Sequence, residues 1–287
     1  MLIGAHVSVS GGLPKAVARG VALDCEAIQI FNQSPRMWKP TAYTEDDFAA
    51  FREAKDASAI ESVVIHAVYL INCSSPDPEL WDKSVASLTH ALRVGDAIGA
   101  DGVVLHSGHE KKDEDYGTTI TRIAKAVKQA VDDTETCPLL LENAAGKTAI
   151  GRSFEHLHDL VEALDGHPRV GVCLDSCHMF AAGYDVRSAE LLGETVDEFD
   201  KVVGLDRLRC IHLNDSKGAF ESNIDRHENL GVGAIGREGC AAVLSEPRFE
   251  QLPVVMETPG RAKDGPDDSD VTVARELRAE GLKARAK

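Results

Sequence analysis

Eight short apolar runs, separated by amphipathic segments, limit what this chain can fold into more than any other feature. The segments between the runs carry apolar residues at i, i+3 and i+4, as in 79–99 and 117–132, and this spacing indicates helices. Apolar strands that alternate with helices favour a parallel sheet covered by helices, and eight such units favour a closed barrel over an open doubly wound sheet. The runs span residues 2–7, 27–32, 62–67, 102–106, 138–143, 169–175, 208–213 and 253–258.

The predicted fold is therefore α/β, a (β/α)8 TIM barrel that forms one domain over residues 1–287. A length of 287 residues with 43% hydrophobic residues is sufficient for one large core. The polar, turn-rich stretch 261–270 precedes a predicted C-terminal helix at 271–286. Two connections are longer than usual, 32–46 and 214–236, and long loops at the carboxyl ends of barrel strands usually carry function.

Composition restricts the location and the partners. No run approaches the roughly 18 apolar residues of a membrane helix, and the first residues lead directly into a strand, so we expect no membrane partner and no export. Seven cysteines, an odd number without a C-x-x-C pair, indicate reduced core residues of a cytoplasmic protein. The net charge of −16 argues at first sight against a nucleic-acid partner.

The residues that end the apolar runs are unusual, because seven of the eight runs finish in a histidine or an acid. The second run ends instead in Asn32 and Gln33. In a barrel all these ends meet at one mouth. One histidine or acid at a strand end is usually without function, but clustered carboxylates would repel one another unless cations compensated them. The seven residues are His6, His66, His106, Glu142, Asp175, His212 and Glu257.

Three more residues extend this set. His178 follows Asp175 by three residues, and Asp225 and His227 alternate with Arg226 along the second long loop, so the last two side chains can point the same way. A mixture of imidazoles and carboxylates without thiolates is typical of catalytic zinc, manganese or iron. The candidate ligands exceed the needs of one ion, and the sequence predicts several sites.

Several motifs in order resemble the endonuclease IV family of zinc-dependent apurinic/apyrimidinic endonucleases. The motifs are IGAHVSVSGGL, VCLDSCHMFAAGYD, IHLNDSK, DRHENLGVGAIG and METPG. The resemblance implies three Zn²⁺ ions per chain, with Mn²⁺ as an alternative at one site. The implied ligands are His66, His106 and Glu142 for the first ion; Glu142, Asp175, His212 and Glu257 for the second; and His178, Asp225 and His227 for the third.

The resemblance also implies the reaction. The expected substrate is the phosphodiester on the 5′ side of an abasic site in duplex DNA, and the products are a 3′-hydroxyl and a 5′-deoxyribose phosphate. Glu142 would be the catalytic bridging ligand, with a zinc-bound hydroxide as the nucleophile. Arg36, Tyr69 and Leu70 would enter the duplex where the damaged nucleotide is flipped out, and the protein would act as a monomer.

The sequence departs from the family pattern in three places. After His106 the chain reads HSGHE, where members often have Pro-Gly-Ser/Ala, and this departure affects the loop that carries His109. Glu221 and Ser222 stand where many members have Gly-Ser, and the glutamate adds negative charge beside the expected DNA. Ser176 replaces the usual threonine and keeps the hydroxyl.

Two other functions are compatible with parts of this pattern. A metal-dependent sugar isomerase or epimerase also uses histidines and acids at barrel strand ends, but such chemistry does not need the third site at His178, Asp225 and His227. A non-enzymatic metal-binding or nucleic-acid-binding module is the second alternative. Incision of DNA that contains an abasic site distinguishes the three functions.

Overall fold

Eight parallel strands close into a barrel, as the sequence predicts. The structure is a computed structural model that describes residues 1–286. Around the barrel the strands run in the order β1-β10-β7-β6-β5-β4-β3-β2, and every neighbouring pair is parallel. The barrel strands are β1 (Leu2–His6), β2 (Ala27–Phe31), β3 (Ser62–His66), β4 (Gly102–Leu105), β5 (Leu139–Glu142), β6 (Val170–Asp175), β7 (Leu208–His212) and β10 (Pro253–Met256).

Nine helices are present in the described part of the chain, and most of them connect consecutive barrel strands. Their bounds are α1 (Leu13–Ala22), α2 (Glu45–Asp56), α3 (Pro78–Ile98), α4 (Tyr116–Asp132), α5 (Phe154–Ala163), α6 (Ser176–Ala182), α7 (Ala189–Val202), α8 (Gly236–Leu244) and α9 (Asp268–Arg285). Two 3₁₀ turns, Leu205–Arg207 and Pro247–Phe249, precede β7 and β10. The long second connection contains a small antiparallel hairpin of β8 (Asp215–Ser216) and β9 (His227–Glu228).

Local sequence signals set the helix ends. Helix α3 begins after Asp77, whose carboxylate accepts from two backbone amides of the first turn, and ends at Gly99 in the left-handed conformation. Helix α9 begins at Asp268, three residues before the predicted start, because Asp267 forms a capping box with Asp270. The aspartates at 267–270 therefore start the helix instead of extending the preceding loop.

The barrel interior is packed in layers. One layer is apolar and buried, and it places side chains from seven strands against one another. β1 contributes Gly4 to the interior, where an added Cβ would lie 1.9 Å from the carbonyl oxygen of Ala27, so only glycine lets β1 and β2 approach this closely. The seven residues of the layer are Ala27, Val64, Val104, Leu140, Cys173, Cys210 and Val255.

This apolar layer explains why the strand ends converge. Side chains alternate along a strand, so the residue two positions after a member of the layer also faces the barrel interior, one step nearer the mouth. Those positions are occupied by Gln29, His66, His106, Glu142, Asp175, His212 and Glu257. The polar cluster thus lies directly on an apolar floor.

All seven cysteines are buried and unpaired. This agrees with the predicted role of reduced core residues, and the predicted cytoplasmic location remains a prediction. Among residues 1–286, none of the helices combines the length and apolarity needed to span a bilayer.

Candidate metal centre

Glu142, at the end of β5, is the centre of the polar cluster and is completely buried. Its two carboxylate oxygens face different partners. Oε2 lies 3.3 Å from His66 Nε2 and 3.2 Å from His106 Nε2. Oε1 lies 3.1 Å from His212 Nδ1 and 3.3 Å from His178 Nδ1. The carboxylate therefore joins two groups of candidate ligands, as a bridging ligand must.

A second group surrounds His212. Its Nδ1 lies 3.4 Å from Glu257 Oε2 and 4.0 Å from Asp175 Oδ2, in addition to its contact with Glu142. One ligand atom from each of these four residues falls within 4.8 Å of all the others, and the same holds for the trio His66, His106 and Glu142. Both groups meet the proximity that a single ion requires.

The third group is formed with help from the long loop. The hairpin of β8 and β9 pairs Ser216 with His227 and so carries the loop across the mouth. Asp225 Oδ1 lies 3.2 Å from His178 Nε2 and 3.4 Å from His227 Nε2. His227 Nε2 is also 3.7 Å from Asp175 Oδ2, so the third group adjoins the second. The structure thus brings together all nine residues that the family resemblance implies as ligands.

The two carboxylate oxygens of Asp175 have different roles, since one caps a helix and the other faces the candidate ligands. Oδ1 caps helix α6 by accepting from the backbone amide of His178 at 2.8 Å, which fixes the start of the turn that carries His178. Oδ2 faces His212 and His227 and accepts from Asn214 Nδ2 at 2.6 Å. The three-residue spacing between Asp175 and His178 is that of a helix cap and its partner.

Most of the imidazoles are oriented by backbone carbonyls. Nδ1 of His66 lies 2.7 Å from the carbonyl oxygen of Ala67, and Nδ1 of His178 lies 3.0 Å from that of Asn143. His227 Nδ1 is 3.3 Å from the carbonyl oxygen of Glu257. A ring that donates from Nδ1 keeps the lone pair of Nε2 free, and in each case Nε2 faces the cluster.

Several of these facing atoms have no hydrogen-bond partner. Glu142 Oε2, His178 Nε2 and His227 Nε2 are buried and form no hydrogen bond of ordinary geometry within the described residues, although each lies 3.2–3.4 Å from another candidate ligand atom. A buried polar atom without a partner costs about 1–3 kcal/mol, and imidazole and carboxylate atoms that converge without partners have the chemistry of a divalent-metal site. The residues present therefore fit the metal ions that the sequence predicts.

In the metal-free site, the pKa values of the buried carboxylates and imidazoles shift in directions that depend on burial and on the neighbouring charges. Burial acts to raise the pKa of Glu142, but His106 and His212 hold it well below its usual 4.5. Burial acts to lower the pKa of His212, but Glu257 and Glu142 raise it well above 6.5. Burial lowers the pKa of His6 to about 4 despite the nearby Glu257. In the absence of metal, the raised pKa of His212 favours a proton on that ring, which offsets the negative charge of the buried carboxylates.

His6 is at the predicted strand end but in none of the three groups. Its Nδ1 contacts the side-chain amide of Gln29 at 3.1 Å.

Gln29, Asn143 and Asn214 are site residues that the sequence did not predict. Asn214 Oδ1 accepts from the backbone amide of Glu257 at 2.9 Å, and Asn143 pairs with the backbone of Asp175 through both amide atoms. For Asn143 and Asn214 the sequence offered one indication of a role in the site, because each lies within two residues of a candidate ligand.

The three predicted DNA-contacting residues lie on the loops that follow the neighbouring strands β2 and β3. Tyr69 is 64% exposed, although its ring edge packs against Phe31 with centroids 5.3 Å apart. Together with His106 and Asp225 it lines a cavity of about 230 Å³. Leu70 is half-buried against the core, and Arg36 is exposed on the loop after β2.

Two of the three departures from the family pattern have local explanations. His109 forms a backbone bridge with Ala149, and Ser74 Oγ contacts both its amide and its carbonyl, so the HSGHE loop is held in place. Ser176 Oγ donates to the carbonyl of Asn214 at 2.7 Å and accepts from its amide, which explains the need for a hydroxyl there. Glu221 is exposed on the long loop.

Comparisons with known proteins agree with this geometry. Residues 17–279 match the family model described as xylose isomerase-like TIM barrel. "Probable endonuclease 4" of Halothermothrix orenii is 41% identical over 270 residues, 92% of this chain and 96% of that protein. The protein of the same name from Methanoculleus marisnigri is 40% identical over 96% of this chain and 99% of its own length.

The chain belongs to the endonuclease IV family. The crystal structure of endonuclease IV from Thermus thermophilus is 37% identical, with a TM-score of 0.86 over 98% of this chain and 100% of that one. A D-tagatose 3-epimerase-like protein also aligns over both chains, with a TM-score of 0.74 but only 17% identity, which shows a common fold alone. Family membership and the predicted TIM barrel are both confirmed.

Proposed function

We propose that this chain is a metal-dependent DNA-repair endonuclease that hydrolyses the phosphodiester 5′ to an abasic site in duplex DNA. One observation carries the proposal: three groups of imidazoles and carboxylates adjoin at the mouth of the barrel, where Glu142 belongs to the first and second groups and Asp175 of the second lies 3.7 Å from His227 of the third. The names of the family members supply the reaction class. We further propose three Zn²⁺ ions, with Mn²⁺ as an alternative at one site, and a monomer in a cytoplasmic setting.

The ligand assignment follows the three groups. His66, His106 and Glu142 would hold the first ion, and Glu142, Asp175, His212 and Glu257 the second. His178, Asp225 and His227 would hold the third. Ions bound there lower the pKa of water toward about 7 and offset the negative charge of the phosphoryl oxygens.

The residues of the chain have distinct roles in the reaction. In the hydrolysis a bond forms between a water oxygen and phosphorus, the bond from phosphorus to the 3′ oxygen breaks, and that oxygen gains a proton. Glu142 would hold the first and second ions, and the chemistry that these ions would supply is activation of the attacking water. The apolar layer below excludes water from the base of the site and strengthens the electrostatic interactions above it.

The acidity of the chain requires a local explanation for DNA binding. Three divalent ions reduce a net charge of −16 but do not cancel it. Around the mouth, four exposed cations form no ion pair among the described residues: Arg36, Lys39, Lys147 and Arg226. Two other basic residues near the mouth are partly neutralised, since Arg187 pairs with Asp185 and Lys217 lies 3.8 Å from Glu228. Binding would use the four free cations together with the ions.

Incision of a duplex with one abasic site tests the proposal. The zinc-loaded chain is expected to nick only the lesion strand and to leave an end that a DNA polymerase can extend, since extension needs a 3′-hydroxyl. Chelator should stop the reaction. A sugar epimerase would leave the duplex intact, and a binding module would retain it without cutting.

Substitution of Tyr69 tests the predicted insertion into the duplex. Tyr69→Ala should weaken binding to abasic DNA by roughly 10-fold with little effect on intact DNA, because an aromatic contact with a base is worth about 1–3 kcal/mol. The measurement is the ratio of the two dissociation constants. Tyr69→Phe keeps the ring and serves as the matched control. An unchanged ratio in Tyr69→Ala would show that the exposed ring does not enter the duplex.

A further inference from the structure

Gln29 is a completely buried amide at the level of the candidate ligands. It lies on β2, two residues after Ala27, a member of the apolar layer, so its side chain faces the barrel interior nearer the mouth. The strand ends in Phe31 and contributes no candidate metal ligand. A buried amide at this level needs partners for its donors and its acceptor.

Two of the three hydrogen-bond partners of Gln29 are candidate ligands of the second ion. Its Nε2 donates to Glu257 Oε1 at 2.6 Å and lies 3.1 Å from His6 Nδ1. Its Oε1 lies 2.7 Å from His212 Nε2. Glu257 and His212 are both in the second group of candidate ligands, whereas His6 is in none. One amide therefore contacts two ligands of the same proposed ion.

The chemistry of these contacts fixes the direction of each hydrogen bond. An ionised carboxylate can only accept, so the NH₂ group of Gln29 must face Glu257 and its carbonyl oxygen must face His212. Because that oxygen can only accept, His212 must donate from Nε2. In the neutral ring, the form that binds a metal, the lone pair of His212 Nδ1 is then free, and Nδ1 is the atom that faces Glu142 and Glu257.

This arrangement distinguishes His212 from the other oriented imidazoles. His66, His178 and His227 point Nδ1 at backbone carbonyls and offer Nε2, whereas His212 offers Nδ1 and directs Nε2 to a side chain. A backbone carbonyl persists through substitution, but a glutamine does not. The ring nitrogen that His212 presents is thus under the control of one replaceable residue.

We propose that Gln29 is a positioning residue for the second metal ion. Its carbonyl oxygen selects the Nε2–H tautomer of His212, its NH₂ group donates to the Glu257 carboxylate, and His6 Nδ1 accepts from the same NH₂ group. The inference rests on the ligand assignment proposed above. Loss of such an outer partner typically weakens metal binding by about 10–100-fold.

Zinc titration of the metal-free chain against a chromophoric chelator tests the proposal. Gln29→Leu has a similar volume and removes all three hydrogen bonds, to Glu257, His212 and His6. We expect it to weaken one of three zinc equivalents by about 10–100-fold and to leave the other two as in the wild type. Gln33→Leu is the matched control, because Gln33 is also a buried glutamine but donates to the Met37 carbonyl, away from the ligands. It should bind all three equivalents as the wild type does.

Nitrogen NMR of the histidines gives a readout that does not depend on activity. The His212 signals are identified as those that are absent from the spectrum of His212→Asn. In the zinc-loaded wild type these signals should show a protonated Nε2 and a metal-bound Nδ1. Gln29→Leu should lose this tautomeric preference, whereas Gln29→Glu should retain it, since a carboxylate oxygen still accepts from Nε2–H. Recovery by Gln29→Glu cannot come from side-chain volume alone.

The outcomes separate this inference from the proposed function. A wild-type chain that fails to take up three equivalents contradicts the proposed centre itself. A wild-type chain that loads fully while Gln29→Leu keeps all three affinities contradicts only the role of Gln29. Coordination of zinc through His212 Nε2 in the wild type also overturns it, and this measurement needs no variant of Gln29 to fold.

Discussion

Glu142→Gln is expected to reduce incision of abasic DNA by at least about 10³-fold, equivalent to roughly 4 kcal/mol of transition-state stabilisation, while the affinity for the DNA changes little. The two carboxylate oxygens of Glu142 lie within 3.3 Å of four imidazoles, so the substitution removes a negative charge from the point where two groups meet. An amide nitrogen would also face at least one of these groups with a donor. Single-turnover incision and DNA binding in chelator-free buffer measure the two effects.

A control must show that loss of a buried carboxylate elsewhere in the protein does not by itself abolish incision. Glu246 is 3% exposed, pairs with Arg248 and Arg285, and lies between α8 and the amino end of β10, at the opposite end of the barrel from the mouth. Glu246→Gln should lower stability but leave incision by the folded protein close to that of the wild type. Full incision by Glu142→Gln would rule out its bridging role, and loss of DNA binding in parallel with incision would indicate a collapsed site.

The fold and most of the site could be predicted because both follow from periodicity. In three neighbouring strands, an apolar residue of the buried layer is followed two positions later by a polar residue on the same face. The pairs are Val64 and His66 in β3, Val104 and His106 in β4, and Leu140 and Glu142 in β5. A polar residue that ends an apolar run is visible in one sequence. Its convergence with distant residues follows from closure of the barrel.

Gln29 could not be found in this way. It lies inside an apolar run that continues to Phe31, and a single polar residue within a strand carries no indication of which face it occupies until the register is known. His6 shows the opposite case, since its strand-end position suggested a ligand. In the structure its partner is the Gln29 amide, and its Nδ1 is 4.0 Å from Glu257 Oε1.

The nine implied ligands also differ in how their positions arise. His66, Glu142 and His212 are set by strand geometry, but Asp225 and His227 depend on the hairpin of β8 and β9 and on Asp215. The carboxylate of Asp215 accepts from the backbone amides of Gly233, Ile235 and Gly236 and so ties the far end of the long loop. Sequence alternation could suggest that Asp225 and His227 point the same way, but it could not supply the anchor.

Removal of metal should produce a loss of thermal stability that grows as the pH rises. In the metal-free chain, Glu142 and Glu257 have pKa values below the usual 4.5, and that of Glu257 falls to about 2, chiefly because nearby histidines outweigh the effect of burial. Their contribution to stability is present above pH 4.5 and is lost as the pH falls through the folded values. His178 and His212 have raised values, so their contribution is complete below pH 6.5 and is lost as the pH rises through the folded values.

These contributions coexist between about pH 4.5 and 6.5, where the metal-free chain should be most stable. Zinc has the opposite dependence, because its imidazole ligands must lose their protons to bind it. The melting temperatures of the zinc-loaded and chelated chains should therefore differ least near pH 5.5 and most near pH 8.

At pH 8 a free zinc concentration of 1,000 times Kd stabilises the folded chain by about 4 kcal/mol per ion, which raises the melting temperature by roughly 10 °C. Melting curves at several pH values measure the gap, and addition of zinc but not of magnesium should close it. A gap that stayed constant or narrowed with rising pH would mean that protons and metal do not compete for these imidazoles.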